Sequence, residues 1–256
     1  MNKITIQHIK NFKGSSIPFA TLTAYDFHSA QILDEAGVPL ILVGDSASMT
    51  IYGYNTTVPI SMQEMLLVVK AVCRGAKNAL IVADMPFLSY QPSIEETIKN
   101  AGILIKKGSA HAVKLEGGEH VYENIKALVK SGIPVLGHIG LMPQSVNQTS
   151  GYKIQGKTKK DAQQIINDAK AVERAGAFGV VLECIPENLA TTITKELSIP
   201  TIGIGSGNTC DGQIQVFHDI IGFAKNDPPK HAKQYINIYN TILNAVKKYQ
   251  TDINNS

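Results

Sequence analysis

A parallel (β/α)8 barrel is the architecture this sequence predicts, and three observations carry it. Short apolar runs recur along the chain, each followed by a segment of helical periodicity. There are eight such repeats, and 256 residues is about the length that eight strand–helix units occupy. The runs lie at 19–24, 39–44, 79–83, 110–115, 133–137, 178–182 and 199–204, with a weaker eighth around 214–221. Nearly continuous apolarity over so few residues suits strands buried on both faces. A doubly wound open sheet is the rival. Its first turn usually carries glycines for a phosphate, whereas Tyr25-Asp26-Phe27-His28 has none. No linker or low-complexity segment intervenes, so a single barrel domain is predicted to fill 1–256.

The segments between the runs are punctuated as helices. Ser61-Met-Gln-Glu64 and Ser93-Ile-Glu-Glu96 have capping-box spacing, and Thr158-Lys-Lys-Asp161 is a weaker version. Behind the first box, Met62, Met65, Leu66, Val69, Val72 and Cys73 share one face of a 3.6-residue period. Gly37, Gly108, Gly132 and Gly176 each stand where a helix stops before the next run. Tyr235, Ile238, Tyr239, Ile242, Leu243 and Val246 form a final stripe, read as a covering helix rather than a dimer arm.

Composition narrows the class of function. A hydrophobic fraction of 44% excludes disorder, and the net charge of +3 comes from lysines dispersed among acids, unlike the clustered stripe of a nucleic-acid binder. No run approaches the roughly 20 apolar residues of a membrane span. The N-terminus is broken by Lys10, Asn11 and Lys13 and has no secretory core. Cys73, Cys184 and Cys210 form no CxxC pair, which fits a reducing compartment. A cytoplasmic protein with no nucleic-acid or membrane partner is expected.

In a (β/α)8 barrel the carboxyl ends of the strands converge on one mouth. Here those ends carry Asp45, Asp84, Glu116, His138 and Glu183. One acid at a strand end is ordinarily a cap for a loop or helix. Four at four ends repel one another unless a cation or a lysine compensates. Oxygen donors without paired cysteines or an HExxH motif suit magnesium or manganese better than zinc. His138 alone fits either the mouth or a hydrogen-bonded core. Lys114, two residues before Glu116, shares its face of the strand. It could anchor a carboxylate or enolate oxygen, or act as a Schiff-base nucleophile. Gly203, Gly205 and Gly207 lack dinucleotide-loop spacing and read as close backbone approach. Residues 143–157 are too long for an ordinary connection and read as a binding loop or lid.

These residues also carry a resemblance. TAYD at 23–26, GDS at 44–46, ADMPF at 83–87, KLEGG at 114–118, GHIGLMPQSV at 137–146, GYKIQG at 151–156, LECIP at 182–186 and IPTIGIGSGNTCDGQ at 199–213 are similar, in that order, to the ketopantoate hydroxymethyltransferase family. The likeness spans roughly residues 3–225. It implies a barrel of the phosphoenolpyruvate/pyruvate type with one magnesium per subunit held by Asp45, Asp84 and Glu116, partly through water. Asp45, Ser46, Asp84, Lys114 and His138 would line the 2-oxo acid, and Glu183 would accept the proton. The implied reaction is hydroxymethyl transfer from 5,10-methylenetetrahydrofolate to 3-methyl-2-oxobutanoate, giving 2-dehydropantoate, through a magnesium-stabilised enolate. A homo-oligomer, commonly a decamer, is implied too. Three departures stand out: Ala47-Ser48 replaces the usual Leu-Gly pair, Asn55 replaces a frequent Asp, and Ser206 replaces an Ala. Competing readings of the same residues are a magnesium-dependent C–C lyase, a Schiff-base aldolase using Lys114, and a ligand-binding barrel without turnover.

Overall fold

The computed structural model describes residues 3–149, 151, 153–226 and 228–255. Among these, eight parallel strands close into a barrel in chain order: β1 (Phe19–Thr23), β2 (Leu40–Val43), β3 (Leu80–Asp84), β4 (Ala112–Glu116), β5 (Val135–Gly140), β6 (Gly179–Glu183), β7 (Thr201–Ile204) and β8 (Gly212–Gln215). The helices are α1 (Ile6–Lys10), α2 (Phe27–Glu35), α3 (Ala47–Thr50), α4 (Met62–Gly75), α5 (Ile94–Lys106), α6 (Tyr122–Lys130), α7 (Val146–Thr149), α8 (Lys159–Arg174), α9 (Glu187–Glu196), α10 (Phe217–Ile220) and α11 (Ile238–Asn254). The predicted (β/α)8 architecture is therefore the observed one. The eighth strand starts two residues before its apolar run and has ended by residue 216. The rest of that run is the turn and short helix that follow.

Two compact units divide the chain, residues 1–214 and 215–256. In the first, Leu40, Leu42, Leu80, Val82, Ala112, Leu136, Val181 and Ile202 fill the barrel interior. Ile9 of α1, wholly buried, joins the same cluster, a burial worth about 1.5–3 kcal/mol. The Ile4 amide donates to Asn78 O (2.7 Å) and the Gly14 amide to Asp211 Oδ1 (2.9 Å), so α1 lies across the amino ends of the strands. That plug closes the end opposite the acids. In the second unit, α11 buries none of its residues. Of its stripe, Ile242, Leu243 and Val246 are all exposed.

The interior also explains where the polar residues point. Side chains two apart on a strand share a face. Since Val82, Ala112, Leu136 and Val181 face the barrel core, so do Asp84, Lys114 with Glu116, His138 and Glu183, one or two steps further along. Apolar packing at one end of the barrel thus becomes a polar layer at the other.

The helix signals hold with local exceptions. Ser61 and Glu64 form the reciprocal capping box, while Ser93 and Thr158 cap through the side chain alone. On α4, Val68 is buried, whereas Met62, Leu66 and Cys73 are only half-buried. Gly37, Gly132 and Gly176 adopt left-handed φ of 78°, 81° and 98°. Past α5 that conformation falls on Ser109 (φ 67°) instead, and Gly108 serves close packing, since a Cβ there would stand 2.3 Å from Leu104 O.

Asp34 ties the end of α2 to the entrance of β3. Its Oδ1 accepts the amides of Asn78 (2.8 Å) and Ala79 (2.7 Å), and its Oδ2 accepts Asn78 Nδ2 (2.9 Å). Burial alone would raise the pKa of this carboxyl, but the amide donors outweigh it and hold it below the ordinary value. Replacing Asp34 with Ala leaves two N–H groups without acceptors and should lower stability by about 3 kcal/mol. An unchanged urea midpoint for that variant would contradict the assignment.

Candidate active site

Strand register brings the predicted residues together. Asp84 on β3 is paired with Lys114 on β4, and Glu116 on β4 with His138 on β5. Lys114 Nζ lies 2.8 Å from Asp84 Oδ1 and 4.0 Å from Glu116 Oε1. Glu116 Oε1 is 3.8 Å from His138 Nδ1, and His138 Nε2 is 3.2 Å from Glu183 Oε2. Asp45, in the turn after β2, donates its amide to Asp84 Oδ2 at 3.2 Å. One unbroken chain of contacts therefore runs from Asp45 to Glu183. Ser46, the neighbour of Asp45, shares a hydrogen bond of 2.7 Å with the Tyr25 hydroxyl.

Asp45, Asp84, Lys114, Glu116 and His138 are all buried, whereas the Glu183 side chain keeps 16% of its surface exposed. Glu183 is thus the acid of the group closest to solvent. Burial is the largest influence on Asp45, Lys114 and Glu116. It pushes Asp45 up to about 7, helped by the adjacent Asp84 and opposed by Lys114 and the Gln144 amide. It also raises Glu116 well above the carboxylate range, with Lys114 opposing and Asp45 and Asp84 adding to the rise. At Lys114 burial disfavours the charge, but the fields of Asp84, Glu116 and Asp45 overcome it and raise its pKa. Lys114 is consequently a firmly protonated ammonium. A Schiff-base nucleophile needs a free amine, so the aldolase reading is disfavoured.

Three buried carboxyls face one ammonium, and Glu116 Oε1 and His138 Nδ1 find no hydrogen-bond partner among the described residues. An oxygen-only donor set with surplus negative charge fits a hard divalent cation. Among the described residues no three His, Cys, Asp or Glu side chains stand close enough to enclose an ion. A cation at Asp45, Asp84 and Glu116 would therefore complete its shell with water, as magnesium characteristically does.

Several contributors were not singled out from sequence. Gln144, inside the GHIGLMPQSV segment, donates from Nε2 to Asp45 Oδ2 (2.9 Å) and from its main-chain amide to Glu116 Oε2 (3.0 Å). The Tyr90 hydroxyl accepts the Glu116 amide hydrogen (3.2 Å) and gives its own proton to Gln144 Oε1 (2.9 Å). Cys184, directly after Glu183, has a left-handed φ of 49°, a strained value of the kind that gathers at functional sites. Burial and the Glu183 carboxylate push its thiol up to about 11, so it is no nucleophile at neutral pH.

Within 143–157, a 3-10 turn at Pro143–Ser145 is followed by α7. Ser150 and Tyr152, part of the predicted binding loop, lie outside the described residues. The loop's far end is anchored beside Glu183, where the Gln155 amide donates to Cys184 O at 2.8 Å. Gly207 supplies the close approach expected of the glycine run, since a Cβ there would stand 2.3 Å from Glu187 Cγ. A separate cleft of about 490 Å³, lined by Lys157, Thr158, Pro186 and Leu189 among others, includes none of the acids and is not the seat of the chemistry.

The departures from the family pattern leave the acids in place. Ser48 is wholly buried and donates to Thr56 O at 2.7 Å, closing its own loop. Ser206 donates to Leu182 O at 2.6 Å, next to Glu183. Asn55 is exposed.

Among solved structures, the chain is similar to phosphonopyruvate hydrolase in complex with oxalate and Mg++. The TM-score is 0.64 at 14% identity, covering 100% of this chain and 88% of that one. It is also similar to phosphoenolpyruvate phosphomutase from Streptomyces platensis subsp. rosaceus, with TM-score 0.65 at 11% identity over 98% and 88%. It is similar as well to 2,3-dimethylmalate lyase, described as a PEP mutase/isocitrate lyase superfamily member (TM-score 0.61, 13% identity), and likenesses of this kind show the barrel fold. Sequence goes further. The chain is 52% identical to a 3-methyl-2-oxobutanoate hydroxymethyltransferase of Dehalococcoides mccartyi (strain CBDB1), over 98% of this chain and 90% of that protein. It is 51% identical to one of Syntrophus aciditrophicus (strain SB), over 99% and 93%. The Ketopantoate hydroxymethyltransferase family profile matches residues 3–256, and the chain belongs to that family.

The raised pKa of Asp45 makes stability depend on pH. In the metal-free protein this group binds its proton more tightly folded than unfolded, where its value is near 3.8. Its favourable contribution is full below that pH and is lost as pH rises through about 7. A divalent cation takes the ionised carboxylate and works against that loss. Saturating Mg2+ should therefore raise the melting temperature more at pH 8 than at pH 5.5; equal increments would count against the arrangement.

Proposed function

We propose that this chain transfers a hydroxymethyl group from 5,10-methylenetetrahydrofolate to 3-methyl-2-oxobutanoate, producing 2-dehydropantoate. Family membership supports the reaction, and the contact chain from Asp45 to Glu183 supports the mechanism. The observation that carries it is the division of roles. Three buried carboxyls gather around Lys114, while Glu183 stays partly open to solvent and free of the lysine.

The hydrogen to be removed lies on the carbon alpha to a ketone and is very weakly acidic unless the resulting enolate is stabilised. Asp45, Asp84 and Glu116 would hold a divalent cation, which when bound supplies Lewis-acid stabilisation of the 2-oxo acid's oxygens. Lys114 contributes a fixed positive charge that needs no reorganisation during the reaction. Ser46 and His138 offer hydrogen-bonding groups beside the acids. Glu183 takes the proton as general base. The electron pair of the broken C–H bond then forms the bond to the one-carbon unit, and hydrolytic release of tetrahydrofolate leaves the hydroxymethyl group on the substrate. Assembly as a homo-oligomer belongs to the same reading, supported by the exposed apolar stripe of α11.

Incubating the purified chain with 3-methyl-2-oxobutanoate and Mg2+ in D2O, without folate, should replace the alpha hydrogen by deuterium. Adding 5,10-methylenetetrahydrofolate should then yield 2-dehydropantoate. Glu183→Gln should lower the exchange rate at least 100-fold, the scale of general-base catalysis, while still binding Mg2+. Exchange at the parent rate in that variant removes Glu183 as the base. Product formed without folate removes the transfer.

A further inference from the structure

Gln144 is 3% exposed, and every polar group of its side chain is committed. The two Nε2 hydrogens go to Asp45 Oδ2 and Met85 O, both at 2.9 Å, and Oε1 accepts from the Tyr90 hydroxyl at 2.9 Å. Gln91 Nε2 approaches the same oxygen at 3.3 Å. The chemistry of the neighbours fixes the amide's orientation. Turned over, its oxygen would face the Met85 carbonyl, which cannot donate. The main-chain amide of the same residue donates to Glu116 Oε2 at 3.0 Å. One residue on the β5–α8 loop therefore holds carboxyl groups that arrive from two different strand ends.

We propose that Gln144 is a positioning residue that, braced by Tyr90, fixes Asp45 and Glu116 in the orientation a divalent cation requires. The assignment rests on the reading of Asp45, Asp84 and Glu116 as the cation site. The main-chain bond to Glu116 survives any substitution, but the bond to Asp45 is lost when the amide is removed. A buried carboxylate without its donor turns to find another partner and no longer presents the same oxygen. Tyr90 acts one step back. It keeps Oε1 occupied and, by accepting the Glu116 amide hydrogen (3.2 Å), fixes the backbone from which Glu116 projects.

The test is the affinity of the metal-free, full-length protein for Mn2+, read by electron paramagnetic resonance, alongside the melting temperature without metal. Gln144→Met keeps the length and volume of the side chain and removes its donors. It should raise the Kd for Mn2+ by about 10–100-fold, the range for residues that orient metal ligands. Tyr90→Phe should shift it in the same direction by less, and it decides the matter if Gln144→Met does not fold. Asp84→Asn separates this inference from the reading beneath it. If the parent binds no Mn2+, or Asp84→Asn binds it equally well, the ion does not sit at these acids and both fall. If Asp84→Asn loses the ion while the folded Gln144→Met and Tyr90→Phe proteins bind it within about twofold of the parent, only the positioning role is overturned. A lowered melting temperature with unchanged affinity is the mark of a purely structural glutamine.

Discussion

The ion pair between Lys114 and Asp84 is the interaction on which the rest of the site depends. It exists because β3 and β4 pair with Asp84 opposite Lys114, and the same ladder continues to set Glu116 beside His138. A slip of one residue would turn every one of these side chains away from the barrel axis. Breaking a buried pair by removing one partner typically costs about 3–5 kcal/mol, since the remaining charge stays desolvated. Here the surplus is larger, with Asp45 and Glu116 crowding the same ammonium. Such a cluster is stable only if protons or a cation make up the difference. At Asp45 and Glu116 burial and the neighbouring carboxyls push the pKa upward, which favours the protonated forms.

Much of this was legible in the sequence, for a physical reason. Strands buried on both faces admit few polar residues except at their ends, so Asp84, Glu116 and Glu183 stood out against apolar runs. The i, i+2 spacing of Lys114 and Glu116 gave their common direction without knowledge of the neighbouring strands. What joined them was not legible. Gln144 and Tyr90 are 54 residues apart, and both sit in polar loops where glutamine and tyrosine ordinarily meet solvent. Only the closed barrel makes them neighbours. The left-handed conformation past α5 falls on Ser109 rather than Gly108, and a serine carries no signal for it in the sequence. The eighth strand was misplaced because Gly212 and Gln213 carry no apolar signal, although the ladder from β7 runs through them.

The departures from the family pattern show how a site tolerates change around fixed chemistry. Ser48 and Ser206 bring hydroxyls into buried positions, where an unpartnered polar group is costly. Each is satisfied by a backbone carbonyl, Thr56 O and Leu182 O respectively. The added polarity is thus absorbed locally. The Ser206 bond stitches the end of β7 to the strand that carries Glu183, so its effect on the site is one of rigidity.

The central claim is that Asp45, Asp84 and Glu116 form a cation site whose charge Lys114 only partly offsets. Crystals soaked in Mn2+ and measured at an energy that excites its anomalous signal test this most directly. The account predicts one strong anomalous peak per chain among these three carboxyl groups, bound directly or through water, with Lys114 still beside Asp84. A peak elsewhere, or none at a concentration that supports turnover, would contradict it.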